Sequence, residues 1–205
     1  MLIDQFGYIR ITDFGLSKRG VTGPMDAKSI CGTPEYLAPE LVLKQGHGKA
    51  VDWWTFGCFL YEILTGVPPF YTSTREELFE KIKFEQPRFP LSFSPSVKDL
   101  LNKLFEKDPS KRLGFNGAKD IKAHAWFSGM KWDALLAKDV KPPFVPKLNG
   151  ELDLQNFDPV RFFCFEWLMT CFSQEFTDTS IESIPQDTMM PDKSFDSYPG
   201  KLQQA

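Results

Sequence analysis

Residue types that hold metals are scarce in this chain. Its 205 residues include four cysteines and two histidines, no two cysteines form a Cys-x-x-Cys pair, and His47 and His124 lie away from all four. That pattern argues against a zinc site and a disulfide framework, and it fits a reducing compartment. Charge of one sign is also missing: 24 Lys and Arg face 27 Asp and Glu, for a net charge of -3, and no basic run stands out. Nucleic acid is therefore not an expected partner. The longest apolar stretch, "FFCFEWLMTCF", is broken by Glu166 and is too short to span a bilayer. The opening "MLIDQFGY" has no basic region and no long apolar core, so no secretory leader is expected there. No internal repeat is visible. What is present is ordinary for a soluble globular protein, 42% hydrophobic and 25% charged, with enough chain for one domain and an extension.

Local patterns divide the chain. Residues 2–12 predict a hairpin, with "LI" and "YIRIT" flanking the turn chemistry of "DQFG". Residues 16–35 predict a loop rich in Gly, Ser, Thr and Pro. The run 52–66, "DWWTFGCFLYEILTG", is apolar on nearly every face, which predicts a helix enclosed by a core. Asp52 is its expected N-cap and Gly66 its expected C-cap. Residues 75–84, 94–108 and 118–127 show helical periodicity with caps. "KPPFVPKL" predicts extended chain, and the polar composition from 176 onward predicts a flexible tail.

The chemistry lies in a sequence of motifs. Asp13-Phe14-Gly15 follows the strand pattern "YIRIT", and some two dozen residues later "CGTPEYLAPE" ends in Ala38-Pro39-Glu40. D-F-G alone is weak, but D-F-G, a loop and then A-P-E describe a protein-kinase activation segment. "KAVDWWTFG" and "KDPSKRLG" follow in order. The chain thus resembles the C-terminal lobe of a eukaryotic serine/threonine protein kinase. "GTPEYLAPE", "VDWW", "HAWF", "PPFVPKL" and "NFDP" narrow the resemblance to the AGC family. The implied fold is mainly α, a kinase C-lobe with a small β-hairpin and helices followed by an extended tail. Residues 1–140 would be a partial kinase domain and 141–205 the AGC C-terminal tail.

The resemblance implies ATP and Mg²⁺ as cofactors and gives roles to matching residues. Mg²⁺ prefers carboxylate and phosphate oxygens, which suits Asp13 as its ligand, with Gly15 letting the backbone turn sharply. Thr33 matches the threonine that bonds the catalytic aspartate. Glu40 and Arg112 match a buried ion pair tying the activation segment to the lobe, and Asp52 is structural. Glu62 matches a residue favouring basic side chains in the substrate, or is simply a charge tolerated at a helix end. Ser29 matches the activation-loop phosphosite, with Lys18 as a basic partner for its phosphate. Thr12 and Phe157 match residues at the adenine pocket, although Phe157 could equally be a hydrophobic staple. Pro143 and Pro146 form the P-x-x-P that fixes the tail. Ser183 resembles the turn-motif phosphosite. Ser197 would be the site in a degenerate hydrophobic motif, where Lys193 and Asp196 stand at aromatic positions.

Other kinase parts are not found in these residues: a Gly-rich loop, a V-A-I-K lysine, an αC glutamate and an H-R-D loop. The reading is a fragment of an AGC kinase, with Met1 an internal start or the edge of a partial gene model, and inactive alone. The alternative is a truncated kinase-like protein acting as a binding or scaffold module. Expected partners are protein substrates with basic residues near the phosphoacceptor and an upstream activating kinase, in the cytoplasm. Residues 160–174 interrupt an otherwise regular tail and read as a translated retained intron. Their rival reading is a hydrophobic insert with Phe162, Phe165, Met169 and Phe172 along one helical stripe.

Overall fold

The computed structural model describes residues 1–150 and 153–157. Two compact units are distinguished, Met1–Pro146 and the chain from Lys147 on. Among the described residues no helix is long and apolar enough to cross a membrane.

The first unit opens with the expected hairpin in short form. Strands β1 (Leu2–Ile3) and β2 (Ile9–Arg10) pair antiparallel, with Leu2 opposite Arg10 and Ile3 opposite Ile9. Asp4 shapes the turn: its carboxylate accepts the backbone N–H groups of Phe6 at 3.1 Å and Tyr8 at 2.9 Å. The other regular elements of the unit are helices joined by loops: α1 (Pro39–Val42), α2 (Ala50–Thr65), α3 (Arg75–Phe84), α4 (Pro95–Leu104), α5 (Ala118–Lys122) and α6 (Trp132–Leu136). Single 3₁₀ turns occupy Pro34–Tyr36 and Ala125–Phe127.

Helix α2 is the centre, and two expectations about it need correction. Its N-cap is Lys49, not Asp52, because Lys49 already has helical dihedrals and Asp52 donates its N–H back to Lys49 O at 3.2 Å. Asp52 therefore sits in the first turn, where a carboxylate suits the positive end of the helix. Partial withdrawal from water raises its pKa, which nearby His47 partly offsets. Nor is the helix enclosed on every side. Trp54, Cys58, Leu60 and Tyr61 are buried and Trp53, Phe56 and Phe59 half-buried, but Ile63 is 60% exposed and Leu64 45%. Gly66 closes the helix in the left-handed region, φ 81°, and donates to Glu62 O at 2.7 Å.

Side-chain caps set the starts of the next two helices. Thr74 accepts Glu77 N–H ahead of α3, and Ser94 accepts Val97 N–H ahead of α4, with Pro95 in the first turn. Helix α4 stops at Leu104, short of the expected 108, since Phe105 leaves helical dihedrals to enter the core. There Trp54 stacks on Phe70 at 5.7 Å and meets Phe105 edge-on at 5.2 Å.

The helix expected over 118–127 is split. His124 adopts an extended backbone, and its Nδ1 accepts Trp126 N–H at 3.2 Å, so the chain restarts as a 3₁₀ turn. With Nδ1 accepting, Nε2 carries the proton and donates it to Asp99 on α4 at 2.8 Å. Replacing His124 by alanine should cost about 1–2 kcal/mol, the usual range for a cap and a part-buried hydrogen bond. Asparagine, whose Oδ1 can stand where Nδ1 does, should keep slow exchange at Trp126 N–H. Equal exchange in the alanine and asparagine variants would refute the cap.

Lys107 lies beneath the aromatic cluster. Its ammonium sits 4.8 Å from both the Trp54 and Phe70 ring centroids and donates to Ile82 O at 2.7 Å. Ring faces and carbonyl favour the charged form, but burial, with repulsion from Arg112, pushes its pKa down to about 8. The folded state then holds fewer protons than the unfolded chain, so stability rises with pH from about 8 towards 10. Cys58 opposes this: burial pushes its thiol up, so stability falls once pH passes the ordinary thiol range of about 8.5. The net gain should show between roughly pH 7.5 and 8.5 in urea unfolding and be absent in Lys107→Met. The same rise in both proteins would rule Lys107 out as its source.

Candidate functional site

Asp13 stands three residues beyond β2 with φ 61°, in the left-handed region. Aspartate tolerates that conformation better than most side chains. Its Oδ1 accepts Gly15 N–H at 3.3 Å, and Ser17 closes the turn by donating its N–H to Phe14 O at 3.0 Å and its hydroxyl to the same oxygen at 2.6 Å. Thr12, Asp13 and Phe14 are all exposed. The sharp turn expected of Gly15 is made by Asp13 instead: Gly15 has no positive φ, and a Cβ there would lie 3.3 Å from Asp13 Oδ1. The glycine keeps that carboxylate uncrowded.

A single carboxylate fits one ligand position of Mg²⁺, which takes one or two carboxylates together with phosphate oxygens and water. Among the described residues no group of three or more His, Cys, Asp or Glu side chains gathers as a metal cage.

The segment after Asp13 is anchored midway. Ala27 is fully buried and exchanges two backbone hydrogen bonds with His47, at 3.0 and 2.8 Å. A Cβ on Gly48 would lie 2.6 Å from Gly23 O, so the two stretches touch backbone to backbone. Asp26 ties the bend by accepting Gly23 N–H at 2.6 Å and Thr22 N–H at 2.9 Å, bonds that hold its pKa below the usual range. Ser29 follows two residues after the anchor and is exposed. Lys18 is exposed as well, and no hydrogen bond or ion pair joins it to Ser29. Thr33 stands at the N-cap of the Pro34–Tyr36 turn, where its carbonyl accepts Tyr36 N–H at 3.0 Å and its side chain makes no cap bond.

Glu62, on the last turns of α2, is half-buried and accepts the hydroxyl of Tyr36. Burial first, then the Glu62 carboxylate, pushes the Tyr36 pKa up. Tyr36 was not singled out from sequence; the two residues lie 26 apart and no local pattern links them.

Glu40 and Arg112 form the most enclosed polar arrangement. Arg112 is 1% exposed and Glu40 4%. The guanidinium grips the carboxylate with both ends, Nη1 to Oε1 at 2.7 Å and Nη2 to Oε2 at 2.9 Å. It also donates Nη1–H to Ala50 O and Nε–H to Glu106 O, each at 2.9 Å, and covers the Trp54 ring at 5.2 Å. One side chain thus links α1, the start of α2 and the loop after α4.

In the second unit, Asp153 accepts Asn149 N–H at 2.6 Å and Gln155 N–H at 3.0 Å, forming a turn that leaves Phe157 exposed. Ser183, Ser197 and the 160–174 segment lie outside the described residues.

Comparison with known proteins agrees with the order of these motifs. The protein kinase domain model matches residues 1–127. The RAC family serine/threonine-protein kinase homolog of Dictyostelium discoideum is 46% identical over 161 residues, 78% of this chain and 36% of that protein. Serine/threonine-protein kinase gad8 of Schizosaccharomyces pombe is 46% identical over 158 residues, 77% of this chain and 28% of that protein. The mouse cAMP-dependent protein kinase catalytic subunit PRKX is 44% identical over 160 residues, 77% of this chain and 44% of that protein. The chain therefore spans less than half the length of each of these relatives. With D-F-G, A-P-E and the Glu40–Arg112 pair in place, the chain belongs to the protein kinase family, in its AGC branch of serine/threonine kinases.

Proposed function

We propose that this chain is the substrate-binding lobe and tail of an AGC kinase that phosphorylates protein serine or threonine with ATP. The observation that carries the reading is Asp13, an exposed carboxylate held at positive φ, ahead of a segment anchored at Ala27 and tied down at Glu40. Phosphoryl transfer depends on position and charge neutralisation. Asp13 would hold Mg²⁺ through a carboxylate oxygen, and the bound ion would neutralise charge on the nucleotide phosphates. Glu62, steadied by Tyr36, would attract basic residues of a protein substrate. Thr33 would orient the catalytic aspartate through its hydroxyl. Ser29 would accept phosphate from an upstream kinase, with Lys18 as counter-charge, and Ser183 and Ser197 would be tail phosphosites. Thr12 and Phe157 would line the adenine site. The kinase domain would run to about residue 140 and the tail from 141, in a cytoplasmic protein, with 160–174 a translated intron.

These 205 residues contain no H-R-D aspartate and no V-A-I-K lysine, so alone they should bind without transferring phosphate. A second reading, a noncatalytic module that sequesters basic substrates, draws on the Tyr36–Glu62 pair being formed within this chain. The test uses a chimera in which residues 1–157 replace the matching segment of the Dictyostelium relative. With labelled ATP, Mg²⁺ and a basic serine peptide, the chimera should transfer phosphate and the 205-residue chain should not. A folded but inactive chimera, or turnover by the chain alone that vanishes in Asp13→Ala, would overturn the proposal.

A further inference from the structure

The hairpin that leads to Asp13 has little packing of its own. Leu2, Ile3, Ile9 and Ile11 are 46–71% exposed. Its turn, in contrast, is clasped from the far end of the same unit. The Tyr8 hydroxyl reaches the carbonyls of Lys138 and Val140, the second at 3.0 Å. The Lys138 ammonium lies 5.2 Å from the Tyr8 ring centroid and 3.9 Å from Asp4 Oδ2. Lys138 is itself at φ 63°, just after α6, where the chain reverses. Gly7, at φ 90°, meets the irregular chain that follows: a Cβ there would lie 2.3 Å from Phe144 O and 2.8 Å from Pro142 Cβ. Residues 138–144 therefore cross the turn in contact with its backbone, and no side chain fits between them.

Asp4 carries this clasp into the hairpin. The carboxylate that accepts Tyr8 N–H also accepts Arg10 Nε–H at 3.0 Å, so Tyr8, the turn and β2 share one anchor. The Tyr8 N–H bond is the main cause holding the Asp4 pKa below its usual range. Asp13 lies only three residues past Arg10.

We propose that Tyr8 is a positioning residue, fixing the metal-binding aspartate by fastening its hairpin to the root of the tail. The proposal rests on the reading of Asp13 as a Mg²⁺ ligand. Displacement of residues 138–144 would loosen Asp13, so events on the tail would be felt at the metal.

Tyr8→Phe removes the hydroxyl and nothing else; Gly7→Ala forces the crossing chain away. In the full 205-residue chain, both should speed backbone hydrogen exchange in residues 4–13 and 138–144 together, by about fivefold, or about 1 kcal/mol at 1.4 kcal/mol per decade. In the chimera, Tyr8→Phe should raise KM for MgATP by a similar factor, about fivefold, with kcat within about twofold, and added Mg²⁺ should restore it. Unchanged exchange in both variants would overturn the clasp. A loss of activity that added Mg²⁺ does not restore, whether in kcat or in KM, would reduce Tyr8 to a structural role and overturn the positioning claim. An inactive unmutated chimera would instead count against the kinase reading, and the exchange arm would still decide the clasp.

Discussion

Arg112→Met should destabilise the first unit by about 3–5 kcal/mol, the range for removing one partner of a buried ion pair. Glu40 would lose its partner in an interior where it is 4% exposed. The Ala50 and Glu106 carbonyls would each lose a donor, and the Trp54 ring the cation above it. A domain of this size has about 5–15 kcal/mol in total, so much of its margin would go. Urea unfolding should show a lower midpoint. Backbone exchange should accelerate around α1 and the start of α2, the elements the guanidinium links. Glu40→Leu combined with Arg112→Met should recover much of the loss, because a well-packed apolar pair can replace a buried ion pair at little cost. If the double variant is less stable than Arg112→Met alone, the uncompensated charge was not the cause.

The second large effect concerns activity. In the chimera, Asp13→Ala should lower kcat by about 10²–10³, the scale for removing one preorganised electrostatic contact to a transition state. Asparagine separates charge from shape: it tolerates positive φ about as well as aspartate, so the turn should persist while the anionic oxygen is lost. Glycine tests the backbone in the other direction, since φ 61° costs it nothing. Asp13→Gly should leave stability equal or slightly higher and activity as low as in alanine. Substantial turnover in the asparagine or glycine variant would remove Asp13 from the mechanism.

These residues also show how far the sequence could be read. The hairpin, the loop after it and the starts of α3 and α4 follow from turn residues and caps, which are local signals. Limits set by long-range contacts were not visible. Asp52 looks like a cap because it is polar and precedes an apolar run, but the turn at Gly48 and Lys49 starts the helix earlier. The 118–127 pattern is helical by periodicity, yet His124 breaks it to reach Asp99. In the candidate site, Glu40 and Arg112 lie 72 residues apart, and only motif order suggested pairing them. Tyr36 and the Tyr8 clasp had no motif to mark them. The sharp turn expected at Gly15 falls at Asp13, because composition shows which residues can turn and not which one does.

The backbone bridge between Ala27 and His47 works as a ruler. Six residues separate it from Pro34, where the next fixed turn begins, and Ser29 occupies the second of those positions. The bridge pairs main-chain groups, with Ala27 fully buried and Gly48 packed on Gly23, so it fixes both the small residues beside it and the residue count from it to Pro34. An inserted residue between Lys28 and Thr33 would have to bulge outward and carry Ser29 with it, whereas one inserted between Lys18 and Val21 would only lengthen an exposed loop. An added residue is therefore best absorbed between Asp13 and Val21, ahead of the bonds that tie Thr22 and Gly23 to Asp26, where it leaves Ser29 at its distance from the bridge.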